Sequence, residues 1–343
     1  KRQFNFSDGD LQMTGTKITG IRVVNRTTGA DEYYSGKIFV DATYEGDLGA
    51  AAHVPYRIGR EARWEYNEPG AGRTYEYWKS DPAEGSTGDA DNAVQAYNYR
   101  LCLISDPSQR APFIKPENYN RKVIQNGGKS TLPGDGWGIL KLVTINTLPN
   151  GKTDANNQHA AFISTDLPEE NWPWPTSSWE WRDKFAKRLK DYTLGLFWFA
   201  QNDEALPQSF RDEMKKWGLA KTEYEDNEFF PRQVYVREGR RFEGMYFFTA
   251  KDALPVAEGQ RPPLHKESIT ASHYALDSHA ARKREEGRVH LDGFISYPTA
   301  VYTVPYGVIV PKNVDNLLLP VPVSGSHIGF STIRMEPCWM ALG

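Results

Sequence analysis

The stretch KIFVDATYEGDLGAAA, Lys37–Ala52, decides the fold that the sequence predicts. It opens with an apolar run of β-forming residues, Ile38–Val40, and continues through Asp41–Thr43 into an acidic turn that contains glycine. The alanine-rich segment from Asp47 predicts a helix, because an acidic residue is suited to a helix N-terminus. The pattern therefore predicts a buried strand that turns into a helix at an acidic corner.

The residues before this corner predict a small antiparallel meander. KITGIRVVNR, DEYY and KIFVDAT are separated by short turns that contain glycine, which is typical of hairpins. The last strand, Lys37–Ala42, is expected to be the most fully buried of the three. The combination of meander, strand and helix favours an α/β fold class.

Length and composition limit the classes of protein. A chain of 343 residues favours two domains. The 41 Lys and Arg against 44 Asp and Glu give a net charge of −3, which argues against a nucleic-acid partner. No apolar stretch approaches the ~20 residues that span a bilayer, so we expect a soluble chain in a compartment that the sequence does not identify. Oligomeric state is equally open.

The chain is expected to be a fragment or a processed form. Its first methionine is Met13, and RMEPCWMALG at the other end predicts a turn that runs into a truncated helix. The two cysteines, Cys102 and Cys338, are too few for a disulfide framework.

The middle of the chain predicts long loops followed by helices. Residues 55–175 are rich in Gly, Pro, Asn and Tyr, with short strand-like pieces. Ser177–Asn202 has apolar residues at three- and four-residue spacing and predicts an amphipathic helix. Gln208–Trp217 predicts a second helix that stops at Gly218. The final region returns to strands, with a turn predicted over Ser324–Ser331.

Two polar clusters are candidates for ligand contact. RIGRE, which contains Arg60, is either a salt-linked loop or a ligand-facing segment. GKTDANNQH, Gly151–His159, places Asp154 and Asn157 in one predicted loop. Such a loop can bind a polar substrate or can stabilise its own turn.

Arginine and histidine supply the candidate catalytic groups. Arg237, Arg240 and Arg241 can hold an anion or form a solvated basic face, and Arg237 and Arg241 would share a face of a helix. His327 in SGSHIGFSTIRMEP is a candidate proton-transfer group, with Arg334 as an anion anchor. The serine neighbours of His273 and His279 in SHYALDSH do not establish a triad. No HExxH or CxxC pattern is present, so no metal site is predicted.

The segment FVDATYEGDLGAAAHVPYRIGREARWEY resembles FAD-dependent oxidoreductases of the type with two dinucleotide-binding domains. NYRLCLISDP, KPENY, GKTDANNQ, YVREGRR, LDSH and SHIGFSTIRMEP agree in order, and they are typical of one bacterial branch. The resemblance implies a partial Rossmann-like FAD domain with a β-meander, joined to a mixed α+β cap domain for the substrate. It implies bounds of 1–54 for the FAD part, 55–300 for the cap and 301–343 for the return to the FAD part.

The resemblance also assigns roles to residues. It implies that the cofactor is bound by Asp41, Ala42, Thr43, Glu45, Gly46, Asp47, Ser326, Met340 and Gly343. It also implies that Ser331 lies near the flavin and that Met340–Gly343 forms a turn. His327, Arg334 and Arg237 are the catalytic candidates, and Arg60, Asp154, Asn157, Arg240 and Arg241 are the substrate-binding candidates. The family's Gly-rich phosphate loop and its final helix are absent from this sequence, although both normally hold much of the FAD.

The function expected from these features is oxidation of a small polar, anionic or sugar-like substrate by hydride transfer to flavin N5. An alternative from another class is a carbohydrate-active protein without flavin, either a lyase or a binding module. It would use Trp172, Trp174, Trp179 and Trp181 as stacking platforms. A third possibility is a cofactor-free fragment with a scaffold role.

Overall fold

A computed structural model describes residues 2–5, 9–126, 138–158 and 161–343. The chain forms two compact units: unit 1 comprises residues 1–95, 172–179 and 237–343, and unit 2 comprises residues 96–171 and 180–236. Both units contain helices and strands, which is compatible with the α/β class. The Rossmann-like detail and the functional bounds 1–54, 55–300 and 301–343 stay predictions.

The first part of unit 1 contains two of the three strands of the predicted meander, and the third, Phe39–Val40, belongs to another sheet. Lys17–Asn25 is the central strand of an antiparallel sheet and pairs with Arg2–Gln3, Leu11–Thr14 and Asp31–Ser35. Ile18 and Val23 are the buried apolar residues of this strand. The remaining strands of unit 1 are short and are Phe39–Val40, Tyr56–Arg57, Arg241–Phe242, Ser268–Ser272, Leu276–Ser278, Ile295–Tyr297, Tyr302–Pro305 and Leu317–Leu318.

The strand predicted over Lys37–Ala42 is shorter and less buried than expected. It spans Phe39–Val40 and pairs in parallel with Leu317–Leu318. Phe39 packs in an apolar cluster, whereas Ile38 is 60% and Val40 is 54% exposed. Alternate side chains of a strand point to opposite faces, so only the face of Phe39 reaches the core.

The helices of unit 1 correct two predicted turns. They are Asp47–Ala51, Arg63–Tyr66, Ala250–Ala253, His327–Ile333 and Glu336–Leu342, with 3₁₀ turns at Trp174–Thr176 and Tyr306–Ile309. The predicted start at Asp47 is confirmed. The turns predicted over Ser324–Ser331 and Met340–Gly343 are wrong. The first segment begins the helix His327–Ile333, and the second contains the last residues of the helix Glu336–Leu342. Ser326 caps the first of these helices, so the Ser/Gly-rich composition marks a helix start.

Unit 2 has a five-stranded antiparallel sheet and a long helix. Along the sheet, the strand order is Arg110–Ala111, Gly218–Ala220, Leu101–Ile104, Lys152–Asn157 and Val143–Thr147. The helices are Arg121–Asn126, Trp179–Asn202 and Gln208–Met214, with 3₁₀ turns at Gly138–Lys141, Pro149–Gly151 and Glu225–Asn227. The amphipathic helix is therefore confirmed, and the second helix ends earlier than predicted because Gly218 begins a strand.

The larger apolar core of unit 1 packs around the helix His327–Ile333. Ile328, Phe330 and Ile333 of this helix join Phe248 and Tyr302 in one buried cluster. Burial of these side chains anchors the helix, because each contributes about 1.5–3 kcal/mol when removed from water. The polar residue at its N-terminus, His327, is consequently held in a fixed position.

Candidate active site

His327 lies at the start of its helix, inside unit 1. The hydroxyl of Ser326 accepts a hydrogen bond of 2.9 Å from the backbone N–H of Gly329, and the carboxylate of Glu61 accepts one of 2.7 Å from the N–H of His327. These bonds satisfy two donors that a helix N-terminus leaves unpaired. His327 is only 2% exposed.

The ring of His327 is held between a carboxylate and a hydroxyl. Nδ1 lies 2.9 Å from each carboxylate oxygen of Glu238, and Nε2 lies 3.1 Å from Oγ of Ser278. This acid, imidazole and hydroxyl order is the geometry by which a triad is recognised. Ser278 is fully buried, which favours proton transfer over nucleophilic attack on a substrate.

Arg241 neutralises the carboxylates beside His327. Its guanidinium donates to Glu61 at 2.9 Å and lies 3.0 Å from Glu238. It also donates to the carbonyls of Gly325, at 2.8 Å, and Gly59. Burial acts to raise the pKa of Glu61, but the charge and hydrogen bond of Arg241, together with the hydrogen bond from the N–H of His327, lower this pKa overall. Arg241 was predicted to bind substrate. It lies in the strand Arg241–Phe242, and its guanidinium contacts these protein groups.

Arg334 and Arg237 lie close to the same centre. Arg334 donates to the side chain and to the carbonyl of Asp277, each at 2.9 Å, and Asp277 directly precedes Ser278. Burial acts to raise the pKa of Asp277, but the charges of His279, Arg334 and Arg237 lower it. Arg334 and Arg237 are 2% and 1% exposed. The three predicted catalytic residues therefore share one buried region of unit 1.

The predicted cofactor residues at Asp41–Asp47 bond mainly to one another. Asp41 accepts hydrogen bonds from the N–H and hydroxyl of Thr43, at 3.1 and 2.6 Å, and from the N–H groups of Leu48 and Gly49, at 3.1 and 3.3 Å. Burial raises the pKa of Asp41, with a smaller contribution from Asp47. The first free N–H groups of this short helix are thus occupied by Asp41.

The rest of this acidic corner is also closed by protein groups. Arg240 donates to Asp47 and to the carbonyl of Glu45, both at 2.7 Å, and Glu45 accepts from the indole of Trp174 at 3.2 Å. Gly46 has φ +63°, and a Cβ there would lie 2.4 Å from Phe242. The glycine therefore admits the phenyl ring, and the corner does not fit a diphosphate cradle. Ala42 and Thr43 are exposed at its edge.

The C-terminal members of the predicted cofactor set have mixed positions. Ser326 is buried and donates to Glu68 at 2.7 Å, and Ser331 is buried in the same helix. Met340 is 79% exposed, and Gly343 follows the last helix. Ser324 is a new candidate at this end, because its buried hydroxyl has no hydrogen-bond partner among the described residues. An unpaired buried hydroxyl is unusual and is a candidate contact for a bound group.

Arg60 lies in a buried ion cluster of its own. It donates to Asp91 and Asp292 at 2.6–3.0 Å, and Arg282 contacts the same two carboxylates. Burial acts to raise the pKa of Asp91, but the hydrogen bonds and charge of Arg60, together with the hydrogen bond from Arg282, lower the pKa to about 2. The geometry matches the salt-linked alternative for this segment.

Asp154 and Asn157 belong to unit 2 and lie in the strand Lys152–Asn157, so the loop predicted there is wrong. Asp154 forms a two-bond ion pair with Arg100. Unit 2 also has a pocket of about 630 Å³, which neither residue lines. Its lining includes Ile114, Leu194 and Phe229. His159, from the same motif, lies outside the described residues.

The four tryptophans proposed as sugar platforms have other contacts. The indoles of Trp172 and Trp179 donate to the carbonyls of Ala281 and Phe4, and Trp174 is buried. In unit 2, Trp181 stacks on Phe185 with 5.5 Å between ring centres. These contacts give no support to a carbohydrate-stacking surface.

The part of the chain that the structure describes has neither a metal-binding cluster nor a membrane-spanning helix. There, no group of three or more His, Cys, Asp or Glu side chains could hold a metal ion. Over the same residues, no helix has both the length and the apolar character needed to cross a membrane.

Sequence comparison assigns the family. The model of the family described as FAD dependent oxidoreductase matches residues 6–343. No curated protein and no solved structure matches the chain.

Proposed function

The chain belongs to the FAD dependent oxidoreductase family, and we propose that it oxidises a small polar, anionic or sugar-like substrate at the His327 site. The family implies FAD as the cofactor and a flavin redox function. When bound, the flavin supplies hydride acceptance at N5. The single observation that carries the proposal is the buried His327 ring, held at both nitrogens by Glu238 and Ser278.

In this proposal, His327 moves the proton that leaves the substrate as it is oxidised. Histidine suits this task because its unperturbed pKa is close to neutrality. Arg334 and Arg237 supply positive charge in the same buried region, where low polarity strengthens their attraction for an anionic group. Ser324 is the residue we assign to the flavin edge, and we assign no diphosphate contact to Asp41–Asp47.

The first experiment asks whether the purified chain carries flavin. Its visible absorption is recorded, the protein is denatured, and the released molecule is identified by mass. We expect FAD, either as purified or after addition of FAD. A protein that is colourless after incubation with excess FAD and removal of the unbound FAD would contradict the proposal.

The second experiment measures flavin bleaching under anaerobic conditions with a panel of small hydroxy acids, amino acids and sugars. For the substrate found, His327→Gln should slow flavin reduction by roughly 10²–10⁴-fold, the usual contribution of a positioned acid or base. His273→Gln is the control, because His273 is exposed in the same unit. Equal rates for His327→Gln and the wild type would remove His327 from the reaction.

A further inference from the structure

We propose that Glu238 is the positioning residue that fixes the tautomer of His327, and that the Ser278 hydroxyl relays the proton at its other nitrogen. The inference rests on the proposed function, because it concerns the proton that His327 would move. Neither Glu238 nor Ser278 stands out in the sequence. Glu238 lies 89 and Ser278 lies 49 positions from His327 along the chain.

Two hydrogen bonds and one ion pair converge on the carboxylate of Glu238. The hydrogen bonds come from Nδ1 of His327 at 2.9 Å and from the backbone N–H of Gln95 at 3.3 Å, and the guanidinium of Arg241 lies 3.0 Å away as an ion pair. An ionised carboxylate only accepts hydrogen bonds, so Nδ1 of His327 must carry a proton to bond with it. The proton that enters or leaves the ring is therefore the one at Nε2.

The hydroxyl of Ser278 has two partners within reach without movement of heavy atoms. Its Oγ lies 3.1 Å from Nε2 of His327 and 3.3 Å from the carbonyl oxygen of His279. When the hydroxyl donates to Nε2, the imidazole is neutral. When it turns to the carbonyl, Oγ accepts from a protonated Nε2 and the ring is a cation. In the relay, Oγ takes up the proton that leaves the substrate as its own hydroxyl proton passes to Nε2, and the new O–H bond points to the carbonyl of His279. The reverse steps release the proton.

The charges around the ring suit both states. Glu238 and Glu61 contact His327 directly, and Glu68 bonds to the neighbouring Ser326. Arg241 offsets Glu238 and Glu61 from the other side. Glu238 and Glu61 would attract a cationic ring, and the charge of Arg241 would oppose that attraction.

The tautomer is measured by nitrogen NMR of the FAD-loaded protein with labelled histidine. The chain has seven histidines, and the signals of His327 are those lost in His327→Gln. The proposal expects a protonated Nδ1 at every pH where the protein is folded. A neutral His327 ring with its proton on Nε2 would overturn it, and this test needs no variant at Glu238.

The variant Glu238→Gln removes the carboxylate charge and keeps the shape. We expect a mixed tautomer and a flavin reduction rate lower by about 10- to 100-fold, part of the usual contribution of a positioned base, with KM little changed. Glu238→Asp should restore the tautomer in part. Glu243→Gln is the matched control, since Glu243 is in the same segment, partly exposed and paired with Arg57 at 3.6 Å.

The outcomes separate this inference from the proposed function. A changed tautomer with an unchanged rate would support positioning by Glu238 and would refute proton transfer by His327. Ring signals in Glu238→Gln that match those in Glu243→Gln would overturn the inference, whatever the rate. If Glu238→Gln does not fold, the wild-type tautomer decides the question alone.

Discussion

Unit 1 and unit 2 bury different kinds of side chain. Within the ranges that the structure describes, unit 2 buries the charged residues Asp166 and Arg182. Unit 1 buries many more: Asp10, Asp41, Glu45, Asp47, Arg60, Glu61, Glu68, Glu76, Arg237, Glu238, Arg240, Arg241, Asp252, Asp292 and Arg334. Ion pairs of unit 2, such as Lys184 with Glu180, are mostly exposed.

The buried charges of unit 1 indicate that its residues serve function at a cost in stability. Burying charge costs free energy unless each charge is paired, and a well-packed apolar group often serves stability as well or better. Unit 1 nevertheless keeps its charges, and several surround His327. Perturbed, paired charges of this kind cluster at functional sites. Unit 1 should therefore be sensitive to loss of charge, and unit 2 to loss of apolar volume.

The largest effect is expected for Arg241→Met in unit 1. The change leaves Glu61 and Glu238 buried without their cation, and breaking such a pair costs about 3–5 kcal/mol in free energy of unfolding. Urea unfolding measures the loss. Lys184→Met, in an exposed pair of unit 2, should leave the midpoint of urea unfolding unchanged. Similar losses in both variants would contradict the proposed difference between the two units.

The matching test in unit 2 is Leu196→Ala. Leu196 is fully buried in the long helix, so truncation leaves a cavity and should cost about 2–5 kcal/mol. Leu140→Ala is the control, because Leu140 is 46% exposed and should lose less than about 0.5 kcal/mol. A small loss for Leu196→Ala in the same urea experiment would mean that unit 2 does not depend on apolar packing.

A smaller effect is expected for Gly46→Ala at the acidic corner. The added Cβ would lie 2.4 Å from Phe242 and would also meet the positive φ, so we expect a loss of about 2 kcal/mol. Gly151→Ala in unit 2 has φ +72° but nothing within 4 Å, and should lose only about 1 kcal/mol from backbone strain. Equal losses would show that Phe242 moves aside easily.

The last test concerns pH and Glu76 of unit 1. Burial raises the pKa of this carboxyl to about 7 from 4.5, although its hydrogen bond to Tyr297 acts in the opposite direction. The folded state then binds the proton more tightly than the unfolded state, so stability falls as pH rises from about 4.5 to about 7. The melting temperature of Glu76→Gln should therefore change less with pH across this range than that of the wild type. Glu84→Gln, at an exposed site, should keep the wild-type slope.

Local patterns in the sequence predicted the elements whose causes are local. The amphipathic spacing of Ser177–Asn202 gave the helix Trp179–Asn202, and the turns that contain glycine gave the strands Lys17–Asn25 and Asp31–Ser35. Family membership was also predicted from ordered motifs and is confirmed over residues 6–343. The helix at His327 was missed, although Ser326 followed by a mainly apolar run is a capping signal.

The candidate site depends on contacts that no local pattern contains. His327 and Arg334 were predicted from their chemistry, but Glu238 was seen only as a charge among the arginines of VREGRR. That segment was considered as a helix face, whereas Arg241–Phe242 is a strand and Glu238 is buried. Pairing across 89 positions is visible only once the chain is folded.

The parallel pair Phe39–Val40 and Leu317–Leu318 has a consequence for synthesis of the chain. Its second strand leaves the ribosome long after the first strand, so this part of unit 1 can be completed only once residues 317–318 have emerged. Unit 2 lies wholly within residues 96–236 and is complete much earlier. Domains generally fold as units during synthesis, so we expect nascent chains stalled shortly after unit 2 emerges to protect unit 2, but not the meander, from protease. Until then, the strand Phe39–Val40 of unit 1 lacks the strand with which it pairs.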